Sequence, residues 1–338
     1  MRAGHDVHVY SHVDVERTPQ QMFSAHAGLT PIFRVTPYDG GSDGAGDGEE
    51  LARFIREAEL LAADLRKARP AELWIWPTLF ASQHYASVIA DPGVPITGCM
   101  LMEPTYLNRT GNALWRRTLR EAQDRGTHFE IGVLEKTLYG EYLPLTVDGR
   151  LKTYPIPYDA TGEPRVRQKL TTIGFFGNQR DEKGVALFEP LISQLLQQGY
   201  YVVLHDSNDR SEGTSGDRFR LLIGFVQNLA EEIAACDLVI APYRPEQYRF
   251  KGSGLVWSAL ANGVPVVAPR GSAPGRLVES RGAGKLFDAF TPQSILDAIG
   301  DAGRDYVSIA DAARQVSLGW SSEHGIRKFV DMLLQAGR

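Results

Sequence analysis

Two glycine-rich turns hold the residues of this sequence that are best suited to bind a phosphate group. The first, residues 174–184, contains Arg180 and Lys183, and the second, residues 250–255, reads Phe-Lys-Gly-Ser-Gly-Leu. Each turn follows an apolar run of strand length and precedes a segment of helix length. Unpaired N–H groups at a helix N-terminus carry a partial positive charge, which favours phosphate or diphosphate. An arginine binds phosphate through two N–H groups, and a lysine adds a point charge.

We therefore predict one diphosphate site built from both turns. Because ligands bind at the carboxyl edge of an open parallel sheet, we expect the two turns to lie at the same edge. For each turn alone the alternative is structural: a tight turn that contains a lysine, or a solvated loop in which residues 180–183 (Arg-Asp-Glu-Lys) neutralise one another. The predicted site residues are Gly177, Asn178, Arg180, Lys183, Lys251, Gly252, Ser253 and Gly254.

Apolar runs of strand length alternate with amphipathic segments of helix length, which is typical of parallel α/β layers. Proline residues indicate a linker at residues 151–164, and the alternation restarts after it. The sequence therefore predicts two α/β domains, residues 1–154 and 155–318, followed by a C-terminal segment, residues 319–338. The predicted strands are 7–10, 31–35, 73–76, 94–102, 129–134, 170–176, 200–205, 238–242 and 264–268. The predicted helices are 49–68, 82–89, 111–125, 184–198, 229–235, 325–334 and the segment after residue 254.

The first residues of the chain are unusual for a doubly wound domain. Residues 1–7 (Met-Arg-Ala-Gly-His-Asp-Val) are typical of a helix end followed by the second strand. We therefore expect that the first βα unit, about 20 to 30 residues, is missing from the N-terminal domain.

Composition excludes several classes of function. The chain has 338 residues, 43% hydrophobic and 23% charged, which is typical of a soluble globular protein of about two domains. Its net charge of −5 gives no reason to expect a nucleic-acid partner. No apolar run reaches the roughly 18 residues that a transmembrane helix needs, and no signal-peptide core is present. We expect a cytoplasmic protein, and peripheral association with a membrane stays open.

No metal site or cofactor is expected. The two cysteines, Cys99 and Cys236, lie in apolar contexts that favour buried free thiols over a disulfide or a metal site. No group of histidine, cysteine and aspartate has the spacing of metal ligands, so zinc catalysis is not indicated.

Four segments of the C-terminal half have the spacing of known motifs, and they resemble the donor domain of the retaining GT-B glycosyltransferases, family 4 in particular. The resemblance is specific over residues 150–335 and only architectural before them. The segments are 155–159 (Pro-Ile-Pro-Tyr-Asp, similar to I-P-N-G-V-D), 177–184 (similar to G-R-x-x-x-x-K-G), 235–243 (similar to A-D-x-x-V-x-P-S) and 254–268 (similar to G-L-x-x-L-E-A-M-A-x-G-x-P-V-V-A).

The resemblance implies a fold and an activity. The fold would be two Rossmann-like domains that face each other across a cleft, with Trp320 and residues 325–334 forming a helix that crosses back to the first domain. The activity would be transfer of a sugar from a nucleotide-diphosphate sugar, which is a substrate and not a cofactor. Transfer would retain the anomeric configuration and need no metal. The acceptor, whether a sugar, a lipid-linked molecule or a protein, is not indicated, nor are the sugar and the base.

The chain departs from the family at the diphosphate site. Lys183 occupies the family's lysine position, but Asn178 stands at the arginine position and Arg180 lies two residues later. We expect Lys251 and Ser253 to supply phosphate contacts that the family makes otherwise.

The chain also lacks the family's two glutamates, which lie eight residues apart. Phe250 and Ser258 occupy their positions. Since the second glutamate holds the ribose in the family, the resemblance assigns Ser258 to the nucleotide. His205 ends a predicted strand and is assigned to the nucleotide as well. The alternative for His205 is a satisfied histidine in the core or at the sheet edge.

The resemblance also leads to two catalytic candidates in the first domain. The family has a histidine near the position of Leu101, and this chain has none there. Glu103 is the nearest ionisable group and would orient the donor sugar or transfer a proton. Its alternative is a carboxylate at a helix start before Pro104. The second candidate is His12, which follows the first predicted strand.

Two other functions stay open. One is a nucleotide-sugar epimerase with the same two-domain layout, although few carboxylates lie where that reaction would need them. The other is a degenerate glycosyltransferase that binds a nucleotide without turnover, which the missing glutamates favour.

Overall fold

The structure is a computed structural model that describes residues 7–12, 28–34, 48–68, 74–76, 81–105, 111–146, 150–177, 180–207 and 216–336. Contacts between Cα atoms divide the chain into two compact units. The first unit is Met1–Tyr154 with Val330–Arg338, and the second unit is Pro155–Phe329.

The first unit contains a four-stranded parallel sheet and a separate pair of parallel strands. Its strands are β1 His8–His12, β2 Gly28–Phe33, β3 Trp74–Trp76, β4 Ile96–Met100, β5 Phe129–Val133 and β6 Leu151–Thr153. Its helices are α1 Gly48–Ala68, α2 Ala81–Ala90, α3 Gly111–Arg125 and α4 Lys136–Tyr142. β1 pairs with β2, and β3, β4, β5 and β6 lie side by side in chain order.

The interior of the first unit follows from the sequence pattern. Every residue of β4 and β5 is buried, as expected for parallel strands with both faces covered. In α3, Trp115, Leu119 and Ala122 recur at helical spacing and are buried on one face. One prediction is wrong: the prolines indicate a linker at residues 151–164, but Leu151–Thr153 is β6 and pairs with β5. A three-residue strand is too short to show a period in the sequence.

The second unit contains a six-stranded parallel sheet. Its strands are β7 Thr172–Phe175, β8 Tyr201–Asp206, β9 Phe219–Ile223, β10 Leu238–Ile240, β11 Val266–Pro269 and β12 Gly284–Phe287. Its helices are α5 Phe188–Gln197, α6 Leu229–Ala235, α7 Gly254–Ala261, α8 Ala273–Arg281, α9 Pro292–Arg304 and α10 Tyr306–Glu323. Helix α11, Ile326–Ala336, begins in this unit, and its residues from Val330 onward are assigned to the first unit.

The strand order of the second unit identifies the edge where a ligand binds. The order is β12-β11-β10-β7-β8-β9, so the chain starts in the centre with β7, moves outward through β8 and β9, and returns to β10 on the other side of β7. In a doubly wound sheet, ligands bind outside the carboxyl ends of the strands at the point where the order reverses. Here that point lies between β7 and β10. The two glycine-rich turns follow these two strands.

Packing of helices on this sheet forms the main core of the second unit. Apolar side chains of α5 and α9 pack on those of the central strands and are almost fully buried, among them Leu191, Leu195, Ile295, Ile299, Ile173, Phe175 and Val202.

Two predictions for the second unit differ from the structure. The predicted helix 184–198 begins only at Phe188, after two short 3-10 turns, because Gly184 has a left-handed φ of 75° that interrupts the helix. Strand β9 was not predicted, since Arg220 interrupts its short apolar run. The alternation of parallel strands and helices is confirmed.

Two smaller observations concern the cysteines and membranes. Cys99 and Cys236 are free and buried, as predicted, and burial raises the pKa of both thiols to about 12. Within the described ranges, no helix is both long enough and apolar enough to cross a membrane.

Candidate functional site

A cavity of about 400 Å³ lies in the second unit, between the turns that follow β7 and β10. This volume is in the range of small-molecule sites. The structure thus brings both glycine-rich turns to one cavity. The residues predicted from the sequence that line it are Gly177, Arg180, Lys183, Lys251, Gly252, Ser253, Gly254 and Ser258.

Gly177 allows the first turn to approach the second. Its φ is +106°, a conformation that favours glycine. A Cβ atom at this position would lie 2.5 Å from Leu255 Cδ1 and 3.4 Å from Lys183 Nζ. The Gly177 N–H donates to His205 Nδ1 over 3.3 Å. A side chain here would therefore fill the space that the lysine and the start of α7 share.

The 3-10 turn Asp181–Lys183 is fixed against the loop that follows β10. A Cβ atom on Gly184 would lie 2.1 Å from the carbonyl oxygen of Pro242, so the two backbones touch. The Arg244 N–H donates to the Glu182 carbonyl over 2.9 Å, and the Arg244 guanidinium pairs with Asp181 over 3.1 Å. These contacts fix the position of Lys183 relative to the second turn.

Ser253 begins helix α7. Its Oγ accepts from the Val256 N–H over 3.4 Å and is hydrogen-bonded to the Tyr243 hydroxyl at 2.9 Å. The sequence assigned this hydroxyl to phosphate, but the structure uses it to cap the helix. The backbone N–H groups of Gly252, Ser253, Gly254 and Leu255, by contrast, have no hydrogen-bond acceptor among the described residues. An anion in the cavity would satisfy them.

Lys183 and Lys251 are partly buried cations beside each other. Burial lowers the pKa of Lys183, and the positive charges of Arg180 and Lys251 lower it further. Burial also lowers the pKa of Lys251, against the opposing effect of Glu182. Across the part of the chain that the structure describes, neither ammonium has an ion pair or a hydrogen bond. A bound anion would relieve both the burial cost and the repulsion.

The self-neutralising loop that the sequence left open exists only in part. Arg180, which is about half exposed, pairs with Glu182 over 3.3 Å, and Asp181 pairs with Arg244. Lys183 takes no part in these pairs. The charge that remains available to a ligand is therefore centred on Lys183 and Lys251, with Arg180 at the exposed side.

Ser258 is joined to a residue that the sequence did not suggest. The Tyr158 hydroxyl donates to Ser258 Oγ over 2.7 Å, and both residues line the cavity. The Tyr158 carbonyl in turn accepts from the indole N–H of Trp320 over 2.7 Å. The only signal for Tyr158 was its place in segment 155–159, where the similar motif has asparagine.

The remaining wall of the cavity is apolar. Leu229, Ala230 and Ile233 of α6 line it, together with Leu255. The sequence pattern predicts helix α6 but not the direction of these side chains. The cavity thus combines a cationic end with an apolar wall.

The structure gives His205 a role within the fold. Because its Nδ1 accepts from Gly177, its Nε2 carries the proton and donates to the Gly224 carbonyl over 2.8 Å. His205 does not line the cavity. These contacts are those of the alternative, a satisfied histidine at the sheet edge, and they hold the first turn in place.

Nothing in the structure tests the roles of three other candidates, Glu103, His12 and Asn178. Glu103 lies in the first unit just after β4 and is half-buried. The pKa of Tyr142 is raised first by the burial of Tyr142 and then by the negative charge of Glu103. His12 is the last residue of β1, and its side chain lies outside the described residues, as does Asn178. Their roles stay predictions. No cluster of three or more metal-binding side chains occurs in the described ranges.

Comparisons with known proteins identify the fold. Sucrose-phosphate synthase from Thermosynechococcus elongatus is similar with a TM-score of 0.69 and 14% identity, over 99% of this chain and 88% of that chain. HepE from Anabaena, in complex with UDP-glucose, is similar with a TM-score of 0.62 and 14% identity, over 92% of this chain and 85% of that chain. WaaG, a glycosyltransferase involved in lipopolysaccharide biosynthesis, is similar with a TM-score of 0.62 and 14% identity, over 99% of this chain and 91% of that chain. No curated protein sequence matches.

A family model matches part of the second unit. Residues 170–305 match the model described as "Glycosyl transferases group 1", and this segment contains every strand of the six-stranded sheet. The chain therefore has the GT-B fold, and its residues 170–305 are similar to the glycosyl transferases group 1 family.

Proposed function

We propose that this chain transfers a sugar from a nucleotide-diphosphate sugar to an acceptor, and that it binds the diphosphate in the cavity of the second unit. One observation carries the proposal. The side chains of Lys183 and Lys251 line the same cavity as the N–H groups at the start of α7 that have no acceptor among the described residues. A diphosphate, with about two negative charges, matches this set of cations and donors.

The apolar wall supports a nucleoside attached to the diphosphate. Leu229, Ala230 and Ile233 offer the kind of surface on which a flat base is shielded from water. The similar protein HepE was solved in complex with UDP-glucose and with UDP. We therefore propose a nucleotide-sugar donor here, without assigning its base or its sugar.

The chemistry follows from where charge develops. The bond between the anomeric carbon and a diphosphate oxygen breaks, a bond to the acceptor oxygen forms, and the acceptor proton is released. Negative charge grows on the leaving diphosphate, where Lys183, Lys251 and the α7 amides stabilise it more in the transition state than in the ground state. We propose that these groups act without a resident metal or cofactor. Retention of configuration and membership of family 4 rest on the sequence motifs alone.

Glu103 and His12 remain the proposed catalytic residues of the first unit. Each would orient the donor sugar or take a proton from the acceptor. A carboxylate or imidazole replaced by its nearest neutral analogue, as in Glu103→Gln or His12→Asn, tests this. Loss of turnover with unchanged nucleotide affinity is the expected result for a group that acts on the reacting atoms.

The experiment is a donor panel. Release of UDP, GDP, ADP or TDP is measured from the matching nucleotide sugars, with and without a glycan extract as acceptor, in the presence of EDTA. We expect release from at least one donor, and a loss of at least about tenfold in Lys183→Met. Lys169→Met, which removes an exposed lysine of the same unit, is the matched control. Release that persists unchanged in Lys183→Met would contradict the assignment.

A second function has one observation in its favour. Phe250 is buried at the first of the two positions where similar enzymes have glutamates, and Ser258 at the second is bonded to Tyr158. A protein that binds a nucleotide sugar without transfer would show donor affinity in the same panel, with no nucleotide release under any condition.

A further inference from the structure

The ammonium group of Lys251 rests on an aromatic ring. Its Nζ lies 5.2 Å from the centroid of the Tyr248 ring, within the distance of a cation–π contact. Tyr248 is 1% exposed and lines the cavity, so its ring is fixed in the protein interior. Lys251 thus has an attractive partner within the protein, although its ammonium forms no ion pair among the described residues.

A second ring supports the first. Tyr243 stacks on Tyr248 with ring centroids 4.1 Å apart and planes tilted by 24°. Tyr243 is 2% exposed, and its hydroxyl is hydrogen-bonded to Ser253, the residue that caps α7. The two rings therefore link the lysine of the second turn to the first turn of the helix that offers the free N–H groups.

The contact between Lys251 and the Tyr248 ring affects where the Lys251 ammonium lies. A lysine side chain has four rotatable bonds and is most stable in water, and at this site burial disfavours the charged form of Lys251 and Arg180 repels it. The negative face of the Tyr248 ring attracts the ammonium without neutralising its charge, as a carboxylate would. The cation is then held over the cavity and stays available to an anion.

We infer that Tyr248 is a positioning residue: its ring, braced by Tyr243, holds the Lys251 ammonium where the diphosphate of the donor binds. This inference rests on the proposed function of the cavity. It predicts that Tyr248 contributes to diphosphate affinity through Lys251 and not through its own contact with the ligand.

A double-mutant cycle tests this. The variants are Tyr248→Leu, Lys251→Met and the double variant, and the probe is UDP, GDP or ADP, whichever the wild-type chain binds most tightly by calorimetry. We expect Tyr248→Leu to weaken binding by about fivefold in the wild-type background and to have no further effect when Lys251→Met is present. Tyr248→Phe keeps the ring and is expected to restore affinity to within about twofold of the wild type.

A matched control exists in the same loop. The Arg249 guanidinium lies over the Phe250 ring at 4.9 Å, and neither residue lines the cavity. Phe250→Leu removes this second cation–π pair and should change the affinity by less than about twofold.

The outcomes separate the explanations. Equal weakening by Tyr248→Leu in both backgrounds would mean that the ring contacts the ligand directly, and unchanged wild-type affinity would mean that it has no role; either overturns the inference. If Lys251→Met itself leaves affinity unchanged, the proposed function of the cavity fails first, and the inference fails with it.

A measurement on the unmutated ring guards against a Tyr248→Leu chain that does not fold. The ε-methylene protons of Lys251, assigned by comparison with Lys251→Met, should be shifted upfield by the ring current of Tyr248 in the free protein. A random-coil shift for these protons would overturn the inference without any change at Tyr248.

Discussion

Lys183 Nζ lies beside Gly177, 3.4 Å from the point where a side chain of that glycine would begin. Any side chain at position 177 would crowd the Lys183 ammonium, so its position depends on glycine there. The turn after the neighbouring strand β10 contributes Lys251 and the N-terminus of α7 to the same cavity. Each part of this arrangement can be tested by itself.

The first prediction concerns the Lys183 charge. Lys183→Met keeps most of the side chain's length and removes its charge. Because a hydrogen bond to a charged group contributes about 1.5 to 3 kcal/mol, we expect nucleoside diphosphate affinity to fall by about 10- to 100-fold. Calorimetric titration measures it, and Lys169→Met should retain wild-type affinity. An affinity loss that is the same in both variants would show a general charge effect instead of a site.

The second prediction concerns pH. Burial, followed by the charges of Arg180 and Lys251, holds the pKa of Lys183 below its ordinary value of 10.5. As pH rises through this lowered pKa, the ammonium loses its proton, so diphosphate affinity should decline before an ordinary lysine would titrate. Binding at about pH 9.5 should be weaker than at about pH 7 and accompanied by proton uptake, detectable in buffers of different ionisation enthalpy. Affinity that is flat over this range would contradict the assignment.

The free protein should show the opposite trend in stability. The unfolded chain binds a proton at Lys183 up to about pH 10.5, whereas the folded chain releases it earlier. In the window between the two pKa values the unfolded state holds more protons, so this residue makes the free energy of unfolding rise with pH. Comparison of urea unfolding of the wild type and Lys183→Met across the window isolates the contribution. A steeper rise in the variant than in the wild type would disagree with the burial of this ammonium.

The third prediction concerns the contact between Gly184 and the loop that follows β10. Gly184→Ala places a Cβ atom 2.1 Å from the Pro242 carbonyl oxygen at a φ of +75°. We expect a loss of about 3 kcal/mol in the free energy of unfolding and weaker nucleotide binding, since Lys183 shifts with the turn. Gly162→Ala is the control, because its Cβ would meet nothing within 4 Å and its φ is not left-handed. Equal thermal stability of the two variants would contradict the close approach.

The fourth prediction concerns Arg167, whose guanidinium joins the backbone at the C-terminal ends of α6 and α7. Its buried guanidinium donates to the carbonyl oxygens of Cys236, Gly263 and Ala234 at 3.1, 2.9 and 2.7 Å. Arg167→Met leaves buried acceptors without donors, so we expect a loss of about 3 kcal/mol in the free energy of unfolding. Arg165, whose exposed guanidinium also donates to Ala234, is the control. An equal loss in the free energy of unfolding in Arg165→Met would contradict this prediction.

The sequence predicted the parts of the site that depend on backbone chemistry. Gly177, Lys183 and residues 251–254 are predicted site residues because glycine, lysine and a helix start after a strand favour phosphate binding, and all of them line the cavity. Their meeting at one cavity followed from the parallel topology, since the turns after β7 and β10 lie at the point where the strand order reverses. The GT-B fold was likewise predicted from the motifs of the C-terminal half.

Other parts depend on tertiary packing and left no signal in the sequence. Tyr248 lies in an irregular loop, where an aromatic residue can equally belong to the hydrophobic core or to a binding site. Arg167 is buried where four backbone carbonyl groups accept from its guanidinium, although arginine is usually exposed. His205 was assigned to the nucleotide, but its two ring nitrogens are used by Gly177 and Gly224. Such hydrogen bonds join residues far apart in the chain and cannot be read from local pattern.

The central claim is that the cavity of the second unit recognises a diphosphate. The most direct test titrates UDP, GDP and ADP, with the matching nucleosides, into the wild-type chain and into the double variant Lys183→Met/Lys251→Met. We predict that one diphosphate binds at least about 100-fold more tightly than its nucleoside, and that the double variant loses this difference. A nucleoside that binds as tightly as its diphosphate, or a difference that survives in the double variant, would contradict the account.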